Sequence, residues 1–596
     1  MNPRAPDTPS AVLDFPDDCP EGARAYFTNP VEVISAHTHE EVRPALKRVE
    51  RAAAEGLYAV GFVAYEAAPA FDRALVVKGR AGDLPLLWFG LFERPSEVET
   101  AGGVFRVSGW SPSITRGEYE RNVEAVRDGI ARGDTYQVNY TLRLRARFEG
   151  EDFAFYERLR AAQRTRFGAY LNAGRFRVLS ASPELFFRRR GRRVETRPMK
   201  GTAARGRWKE EDEAASARLV ASEKERAENL MIVDLLRNDL GRVAETGTVE
   251  VEELFRVERY PTVWQMTSTV AATLREGVTL DELFAALFPC GSVTGAPKVS
   301  TSRFIAALED SPRGVYCGAV GFVAPGGGAA FNVAIRTVVV DKETGEAVYG
   351  VGGGVTWDST PGGEYAEARA KARLLAEDAP DFELLETMRL DGSGFHLLEE
   401  HLARLEASAE YFDIPLDTAD AREALARLAA EYDGTPRRVR LLVSNDGRAR
   451  VESHPLDELP PGPLRVALAV TPVKKSDRFL CHKTTNRAHY EARRAEATGV
   501  FDVLLWNEEG ELTEFTNGNV VVELEGKRWT PPRACGLLAG TFRESLLRRG
   551  EVGERVLTRD DLARAARVWF VNGVRGWVEV SLRLPKNPAY PNDKNF

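Results

Sequence analysis

The join between residues 374 and 382 constrains the fold of this chain more than any other feature. An Ala/Arg-rich helical pattern ends there in EDAPD, and a strand-like pattern, FELLETM, begins directly after it. A chain of 596 residues is also too long for a single hydrophobic core. We therefore predict two domains, residues 1–378 and residues 380–596.

Both halves of the chain mix helical and strand patterns. In the first half, residues 316–356 alternate between strands and turns, with one long strand from Phe331 to Val340. The second half begins with a strand and continues with an amphipathic helix over residues 396–412. These patterns predict an α+β fold for each domain, with antiparallel sheet in the first. Helical patterns in the first half cover residues 117–132, 210–239, 279–287 and 364–376.

Composition excludes several classes of function. A net charge of −8 argues against nucleic acid as the main partner. No apolar run reaches transmembrane length and no signal-like segment opens the chain, so we expect a cytoplasmic protein without a membrane partner. No histidine occurs between His39 and His396. A metal bound in that stretch would have oxygen ligands, which favours Mg²⁺ over zinc.

Two helical patterns place carboxylates on defined faces. Glu228 lies on the apolar face of the 210–239 pattern, where burial is costly unless a cation is near. The alternative is an edge position paired with an arginine. Glu364, Glu367 and Lys371 share one face of a later helix. That face fits either a surface ion pair or a second group of metal ligands.

Two cations also have open interpretations at this point. Arg336 points away from the apolar face of the predicted 331–340 strand, where its guanidinium could clamp a carboxylate or be solvated. Lys200 lies in a strand–turn context within RPMKGT, and taken alone it reads as a surface lysine in a basic stretch.

Eight short motifs occur in order through the first domain, and they decide between these alternatives. Together they resemble the chorismate-binding enzyme family over most of residues 100–376. The resemblance implies an anthranilate synthase-like antiparallel β-sandwich with surrounding helices. The motifs are GDTYQVNY from Gly133, SASPELFF from Ser180, RPMKGT from Arg197, AENLM from Ala227, RNDLGR from Arg237, GSVTGAPK from Gly291, IRT from Ile335 and residues 352–371.

The resemblance also implies catalytic roles. Relatives that form anthranilate carry a small residue at the position of Lys200, whereas relatives that form 4-amino-4-deoxychorismate from chorismate and ammonia carry lysine. Lys200 would then attack C2 of chorismate as a nucleophile, and Glu184 would act as general acid for the departing 4-hydroxyl. An anthranilate-forming enzyme is the alternative.

Ligand-binding roles follow from the same resemblance. Glu228 and Glu367 would bind Mg²⁺, with Glu364 near the ion or bridged to it by water. The implied substrate-binding residues are Gln137, Gly201, Thr202, Thr294, Arg336, Gly353 and Lys371. The chain contains no Gly-x-Cys-x-Gly glutaminase motif. We therefore expect ammonia from a separate glutamine amidotransferase subunit or from solution.

A second ordered set of motifs lies in residues 380–596. Their order resembles the class IV pyridoxal-phosphate enzymes, which include aminodeoxychorismate lyase and branched-chain aminotransferase. The resemblance implies a fold-type IV α+β domain with pyridoxal 5′-phosphate as cofactor. The motifs are HLARL from His401, CHKTTNR from Cys481, ELTEFTNGN from Glu511, GLLAGTFR from Gly536 and FVNG from Phe570.

In this second domain the resemblance implies that Lys483 binds the cofactor covalently and that Glu514 contacts its ring nitrogen. Arg404, Thr541 and Gly573 would hold the phosphate. The two domains together would convert chorismate to p-aminobenzoate and pyruvate. An aminotransferase and a non-catalytic assembly module are the alternatives for the second domain. Class IV relatives usually dimerise, so we expect a homodimer by analogy.

Overall fold

The structure is a computed structural model that describes residues 10–19, 24–97, 102–375 and 381–583. The chain divides into two compact units. The N-terminal unit comprises residues 1–204 and 216–379, and the C-terminal unit comprises residues 205–215 and 380–596. No helix within the described ranges combines the length and the apolar composition needed to cross a membrane.

Two antiparallel sheets of ten strands each form the framework of the N-terminal unit. The first has the order β16-β8-β20-β19-β10-β9-β1-β2, with β6 and β7 also paired to β8; the second has the order β13-β15-β12-β11-β18-β17-β4-β5-β3, with β14 paired to β15. The strands are β1 (Ala11–Asp14), β2 (Ala25–Phe27), β3 (Glu32–Ala36), β4 (Tyr58–Val63), β5 (Leu87–Phe92), β6 (Phe105–Val107), β7 (Ser111–Pro112), β8 (Gln137–Gly150), β9 (Phe167–Ala173), β10 (Phe176–Ser182), β11 (Leu185–Arg190), β12 (Arg193–Arg197), β13 (Met199–Ala204), β14 (Glu250–Arg259), β15 (Val263–Thr273), β16 (Gly295–Ala296), β17 (Ala319–Val323), β18 (Ala329–Val333), β19 (Thr337–Asp341) and β20 (Glu346–Val355).

Helices cover the sheets of this unit. They are α1 (His39–Ala54), α2 (Ala68–Phe71), α3 (Arg116–Ala131), α4 (Asp152–Gln163), α5 (Lys209–Ala221), α6 (Glu223–Gly241), α7 (Leu280–Leu287), α8 (Lys298–Leu308) and α9 (Pro361–Ala372), of which α5 begins in the segment that belongs to the C-terminal unit. Phe187 of β11, Phe284 of α7 and Phe331 of β18 meet in the core with ring centroids 5.2–5.3 Å apart. Burying each such ring contributes roughly 1.5–3 kcal/mol.

Two sequence-based element predictions were wrong in this unit. The predicted 210–239 helix is two helices, because Ser222 caps α6 by accepting a hydrogen bond from the Glu225 amide. The predicted 331–340 strand is two strands, β18 and β19, which lie in different sheets. The chain crosses between the sheets at residues 334–336, where Arg336 has a φ of 53°.

The described residues of the C-terminal unit form two sheets. An antiparallel sheet has the order β22-β21-β23-β24, and a mixed eight-stranded sheet has the order β27-β26-β25-β32-β31-β28-β29-β30, in which β25 runs parallel to β26 and β32. The strands are β21 (Leu384–Asp391), β22 (Gly394–Phe395), β23 (Arg437–Val443), β24 (Ala449–Pro455), β25 (Leu464–Leu468), β26 (Val503–Trp506), β27 (Leu512–Phe515), β28 (Gly518–Leu524), β29 (Lys527–Thr530), β30 (Gly553–Glu554), β31 (Arg567–Asn572) and β32 (Gly576–Arg583).

Helices of the C-terminal unit agree with the sequence pattern where one was predicted. The amphipathic helix predicted over 396–412 is α10, which starts two residues later and buries Leu402, Leu405 and Ala409 against the antiparallel sheet. Mixed helix and sheet in both units confirms the predicted α+β class. The helices are α10 (Leu398–Phe412), α11 (Thr418–Ala430), α12 (Ala488–Arg494), α13 (Thr541–Arg548) and α14 (Arg559–Arg564).

Candidate active sites

The N-terminal unit contains a cavity of about 180 Å³ that is lined by Lys200 and several carboxylates. β13 carries Lys200, and the side chain of Asn229 donates to the Lys200 carbonyl oxygen over 3.2 Å. Burial lowers the pKa of the Lys200 amine and Lys371 adds to this effect, whereas Glu228 and Glu184 oppose it. More of this amine is therefore unprotonated and nucleophilic near neutral pH than in an exposed lysine.

Glu184 lines the same cavity and is only 3% exposed. The hydroxyl of Ser292 donates to Glu184 Oε1 over 2.6 Å. Burial raises the pKa of Glu184 to about 7, although the Ser292 hydrogen bond and the charge of Lys200 oppose the rise. Glu184 can therefore hold a proton near neutral pH and release it, as a general acid must.

Glycines let β20 pass close to these side chains. A Cβ added to Gly354 would lie 2.0 Å from Gln137 Nε2 and 2.8 Å from Lys200 Nζ. A Cβ added to Gly353 would lie 3.0 Å from Glu364 Oε2. The two glycines therefore leave the space that the functional side chains occupy beside the strand.

α9 contributes an ion pair and a second carboxylate. Lys371 Nζ lies 2.7 Å from Glu367 Oε1 and donates to the Gly352 carbonyl over 2.9 Å. This cation holds the pKa of Glu367 below its ordinary value. Glu364 accepts a hydrogen bond from Ser359 over 2.7 Å, and burial raises its pKa. Its Oε2 atom has no hydrogen-bond partner among the residues that the structure describes.

Glu228, Glu364 and Glu367, the predicted Mg²⁺ ligands, all line this cavity. They do not form a closed ligand cluster: in the described ranges no three His, Cys, Asp or Glu residues are grouped so that they could hold a metal. Mg²⁺ usually takes one or two protein carboxylates together with water and substrate oxygens. Burial raises the pKa of Glu228, and Glu364 Oε2 has no hydrogen-bond partner within the described part of the chain. Carboxylates of this cavity can therefore supply one or two ligands to an ion whose other ligands come from outside the protein.

Arg336 lines the cavity, but the strand-face argument for it was wrong. The residue lies at the crossing between the sheets rather than on a strand. Its NH1 group donates to the Lys371 carbonyl over 2.9 Å, which ties the crossing to the end of α9.

Of the other predicted substrate-binding residues, some line the cavity and others do not. Gly201 and Thr202 line the cavity. Gln137 lies beside Gly354, and its buried Oε1 has no partner in the described part of the chain. Thr294 is outside the lining, and its hydroxyl donates to the Cys290 carbonyl over 2.9 Å.

A larger cavity of about 590 Å³ lies in the C-terminal unit and is lined by Lys483 and Glu514. Burial, together with the charges of Arg404 and Arg487, lowers the pKa of Lys483 to about 8. Burial raises the pKa of Glu514 to about 8, against the effect of a hydrogen bond that Tyr490 Oη donates over 2.6 Å. The cavity therefore holds an amine that is readily deprotonated and a carboxyl that a nearby cation would ionise.

The predicted phosphate ligands Arg404, Thr541 and Gly573 line this cavity too. Arg404 forms a bidentate pair with Glu386 over 2.9 and 2.6 Å. Thr541 Oγ1 lies 3.2 Å from His401 Nε2, and a Cβ added to Gly573 would lie 3.2 Å from each of these atoms. Thr541 is also the first residue of α13, whose N-terminal amides suit an anion.

These side chains fit pyridoxal 5′-phosphate. Lys483 offers an amine with a lowered pKa, and Glu514 offers a buried carboxyl for the ring nitrogen. The cavity volume and the arginine beside a helix N-terminus suit the ring and the phosphate.

Three further residues of these sites were missed from the sequence: Ser292, Tyr490 and His401. Ser292 lies 108 residues from its partner Glu184, Tyr490 lies 24 residues from Glu514, and His401 lies 15 residues from Glu386. Ser292 and His401 fall inside the quoted motifs, but no local pattern indicates their partners.

Comparison with known proteins agrees with these two sites. Residues 11–377 match the chorismate binding enzyme family. Residues 383–582 match the class IV amino-transferase family. The second match supports the class IV fold of the C-terminal unit and pyridoxal phosphate as its cofactor.

Individual relatives of the N-terminal unit carry two different names. The chain is 41% identical over 266 residues to anthranilate synthase component 1 of Aquifex aeolicus, and this match covers 45% of this chain and 53% of that relative. It is also 41% identical over 268 residues to aminodeoxychorismate synthase component 1 of Salmonella typhimurium, and this match covers 45% of this chain and 59% of that relative. The chain thus spans between half and two thirds of the length of these relatives.

A solved structure shows the same fold. Anthranilate synthase component I from Streptococcus pneumoniae TIGR4 superposes with a TM-score of 0.50 at 25% sequence identity, and the match covers 62% of this chain and 91% of that one. The likeness confirms the predicted anthranilate synthase-like fold of the N-terminal unit.

Proposed function

Since this chain belongs to the chorismate binding enzyme family, we propose that its N-terminal unit converts chorismate and ammonia to 4-amino-4-deoxychorismate. The observation that carries the proposal is the Lys200 amine, which lies in a cavity beside the buried acid Glu184 and has a lowered pKa. A relative named aminodeoxychorismate synthase component 1 supports it.

In the proposed reaction, Lys200 Nζ forms a bond to C2 of chorismate, both ring double bonds shift toward C4, and the C4–O bond of the 4-hydroxyl breaks. Glu184 gives its proton to that hydroxyl, which departs as water. Ammonia then bonds to C4, both ring double bonds shift back, and the C2–Nζ bond breaks, which returns its electron pair to Lys200. Glu184 is left as a carboxylate that can take up the proton lost from the new amine.

Mg²⁺ would neutralise a substrate carboxylate when bound, with Glu228 and Glu367 as its protein ligands and Glu364 near it. Lys371 and Arg336 would contact substrate carboxylates from the end of α9 and from the sheet crossing. Their mutual hydrogen bond, from Arg336 NH1 to the Lys371 carbonyl, would keep both cations at one side of the cavity.

For the C-terminal unit we propose the next step, elimination of pyruvate from 4-amino-4-deoxychorismate to give p-aminobenzoate. Pyridoxal 5′-phosphate would supply an electron sink when bound. Glu514, held by Tyr490, would orient the ring nitrogen, and Lys483 would move the proton that is lost when the ring becomes aromatic. The product of the first unit would be the substrate of the second, which gives the fusion a reason.

Several further expectations belong to this proposal. The component 1 names of the relatives support a separate glutamine amidotransferase subunit as the source of ammonia. A homodimer, a cytoplasmic location and separable domains at residues 1–378 and 380–596 remain predictions.

A product assay tests the proposal. Purified protein with chorismate, Mg²⁺, ammonium and pyridoxal 5′-phosphate should form p-aminobenzoate and pyruvate, separated by chromatography. Lys200→Ala should still bind chorismate, but its rate of 4-amino-4-deoxychorismate synthesis should fall by at least roughly 100-fold. Lys47→Ala, which removes an exposed lysine from α1, should match the wild type.

Other products would change the assignment. Anthranilate would show that the chain follows the other branch of its family, despite Lys200. Undiminished synthesis by Lys200→Ala would remove the nucleophile from the mechanism. Transfer of an amine to a 2-oxoacid without pyruvate release would make the C-terminal unit an aminotransferase, and 4-amino-4-deoxychorismate as the sole product would leave it without lyase activity.

A further inference from the structure

Residues 205–215 belong to the C-terminal unit although they follow β13 directly in sequence. The segment has a rigid internal structure. Arg205 Nε donates to both carboxylate oxygens of Asp212 over 2.8 and 2.9 Å, and both side chains are 5% exposed. The Gly206 amide donates to the same Asp212 carboxylate over 2.8 Å. A buried, fully paired turn of this kind resists deformation.

Hydrogen bonds hold the segment against the rest of the C-terminal unit. Tyr411 Oη donates to the Gly206 carbonyl over 2.7 Å, and Arg205 NH2 donates to the Tyr411 carbonyl over 3.0 Å. The Arg205 guanidinium also lies 4.4 Å from the centre of the Tyr411 ring. Arg207 NH1 donates to the carbonyls of Ala534 and Lys475 over 2.9 and 3.2 Å.

The segment contacts side chains that in turn contact Cys481 and His482, the two residues that precede Lys483. The Tyr411 ring packs on the His482 ring with centroids 4.3 Å apart. His482 is 4% exposed, and Ser408 Oγ lies 2.9 Å from its Nδ1 atom. Arg533, whose guanidinium lies 4.7 Å from the centre of the Trp208 ring, reaches the Cys481 carbonyl at 3.5 Å.

We propose that residues 205–212 are a positioning element for Lys483. By holding Tyr411 against His482, they would fix the backbone next to the lysine and exclude water from its amine. The functional meaning of this role rests on the proposed use of Lys483 to bind pyridoxal 5′-phosphate. The structural role can be measured without the cofactor, because an amine that is shielded from water and a solvated amine titrate at different pH.

Two charge-neutral variants test the role in the full-length protein. Gly206→Ala would place a Cβ 2.1 Å from the Asp212 amide nitrogen and so force the turn open. Tyr411→Phe removes the hydrogen bond to the Gly206 carbonyl but keeps the ring on His482. Lys209→Ala is the control, because it removes an exposed ion pair with Glu410 from the same segment.

The readout is the pH dependence of covalent labelling of Lys483 in the cofactor-free protein, followed by peptide mass spectrometry. The wild-type midpoint should lie near 8. Gly206→Ala should move it upward by about one pH unit and Tyr411→Phe by less, because water reaches the amine. The dissociation constant of pyridoxal 5′-phosphate, measured by absorbance of the bound cofactor, should rise roughly tenfold in Gly206→Ala.

The outcomes separate this role from others. Unchanged midpoints in both charge-neutral variants, with circular dichroism like that of the wild type, would overturn it. An equal shift in Lys209→Ala would also overturn it, since the effect would then be electrostatic. If the wild type does not bind pyridoxal 5′-phosphate at all, the proposed function of the C-terminal unit fails, while a shifted labelling midpoint would still support the positioning role.

Discussion

Glu184 works as an acid only while it carries its proton, so the hydrogen bond from Ser292 bears directly on the pH range of the proposed reaction. That bond favours the ionised carboxylate and keeps the pKa near 7 despite burial. In Ser292→Ala the pKa should rise by about one unit. The rate falls as pH increases through this pKa, so the falling limb should move to higher pH. The measurement is the pH profile of kcat/KM for chorismate.

Cys290→Ala is the matched control for this experiment. Cys290 Sγ lies 3.2 Å from Ser292 Oγ, so the variant changes the surroundings of the serine but leaves its bond to Glu184. Its falling limb should coincide with that of the wild type. A limb that stays in place in Ser292→Ala would show that another group sets the upper pH limit.

The sequence indicated some residues of the N-terminal site but not the contacts of others. The ordered motifs indicate Lys200, Glu184 and Glu228, and the structure gathers all three around one cavity. Their assigned roles remain predictions. The motifs contain Ser292 but do not indicate its purpose, because its partner is supplied by the fold and not by a neighbour in sequence.

At the scale of elements, β20 shows that a strand can serve a site by lacking side chains. In Gly354→Ala the added Cβ would lie within 3 Å of both Gln137 Nε2 and Lys200 Nζ, so at least one of these groups must move. Displacing a reacting group by about 1 Å can cost roughly 100-fold in rate. We expect a loss of this order in 4-amino-4-deoxychorismate formation, measured as kcat with chorismate and ammonium.

Gly109→Ala provides the comparison, because its added Cβ would meet nothing within 4 Å. It should keep full activity, and both variants should retain the wild-type circular dichroism and a similar melting temperature. Full activity in Gly354→Ala would mean that the strand does not constrain Lys200.

The same scale shows where sequence patterns reach their limit. Phe331, Val333, Ile335 and Val339 fit one face of a single strand, yet the strand breaks because β18 and β19 pair in different sheets. Alternation records which side chains are buried but not which sheet buries them. The prediction of a single helix over residues 210–239 failed for a related reason. A serine inside a helical pattern is equally compatible with an N-cap that begins a new helix.

At the scale of the whole molecule, the sequence predicts a boundary near residue 380, and the two domains drawn from it stay a prediction. The place of residues 205–215 in the C-terminal unit could not be predicted, because nothing in their composition differs from an ordinary amphipathic helix start. Such an assignment depends on long-range packing, which one sequence does not display.

The two lysines lie in separate cavities, one lined by residues 139–371 and the other by residues 385–575. Each proposed half-reaction should therefore survive loss of the other site. Lys483→Ala should accumulate 4-amino-4-deoxychorismate, and Lys200→Ala should convert that compound when it is added. An equimolar mixture of the two variants should then restore p-aminobenzoate with a lag that shortens as protein concentration rises, because the intermediate must pass through solution. If Lys200→Ala does not convert added 4-amino-4-deoxychorismate, or Lys483→Ala does not release it, the mixture stays inactive and the two half-reactions are not independent.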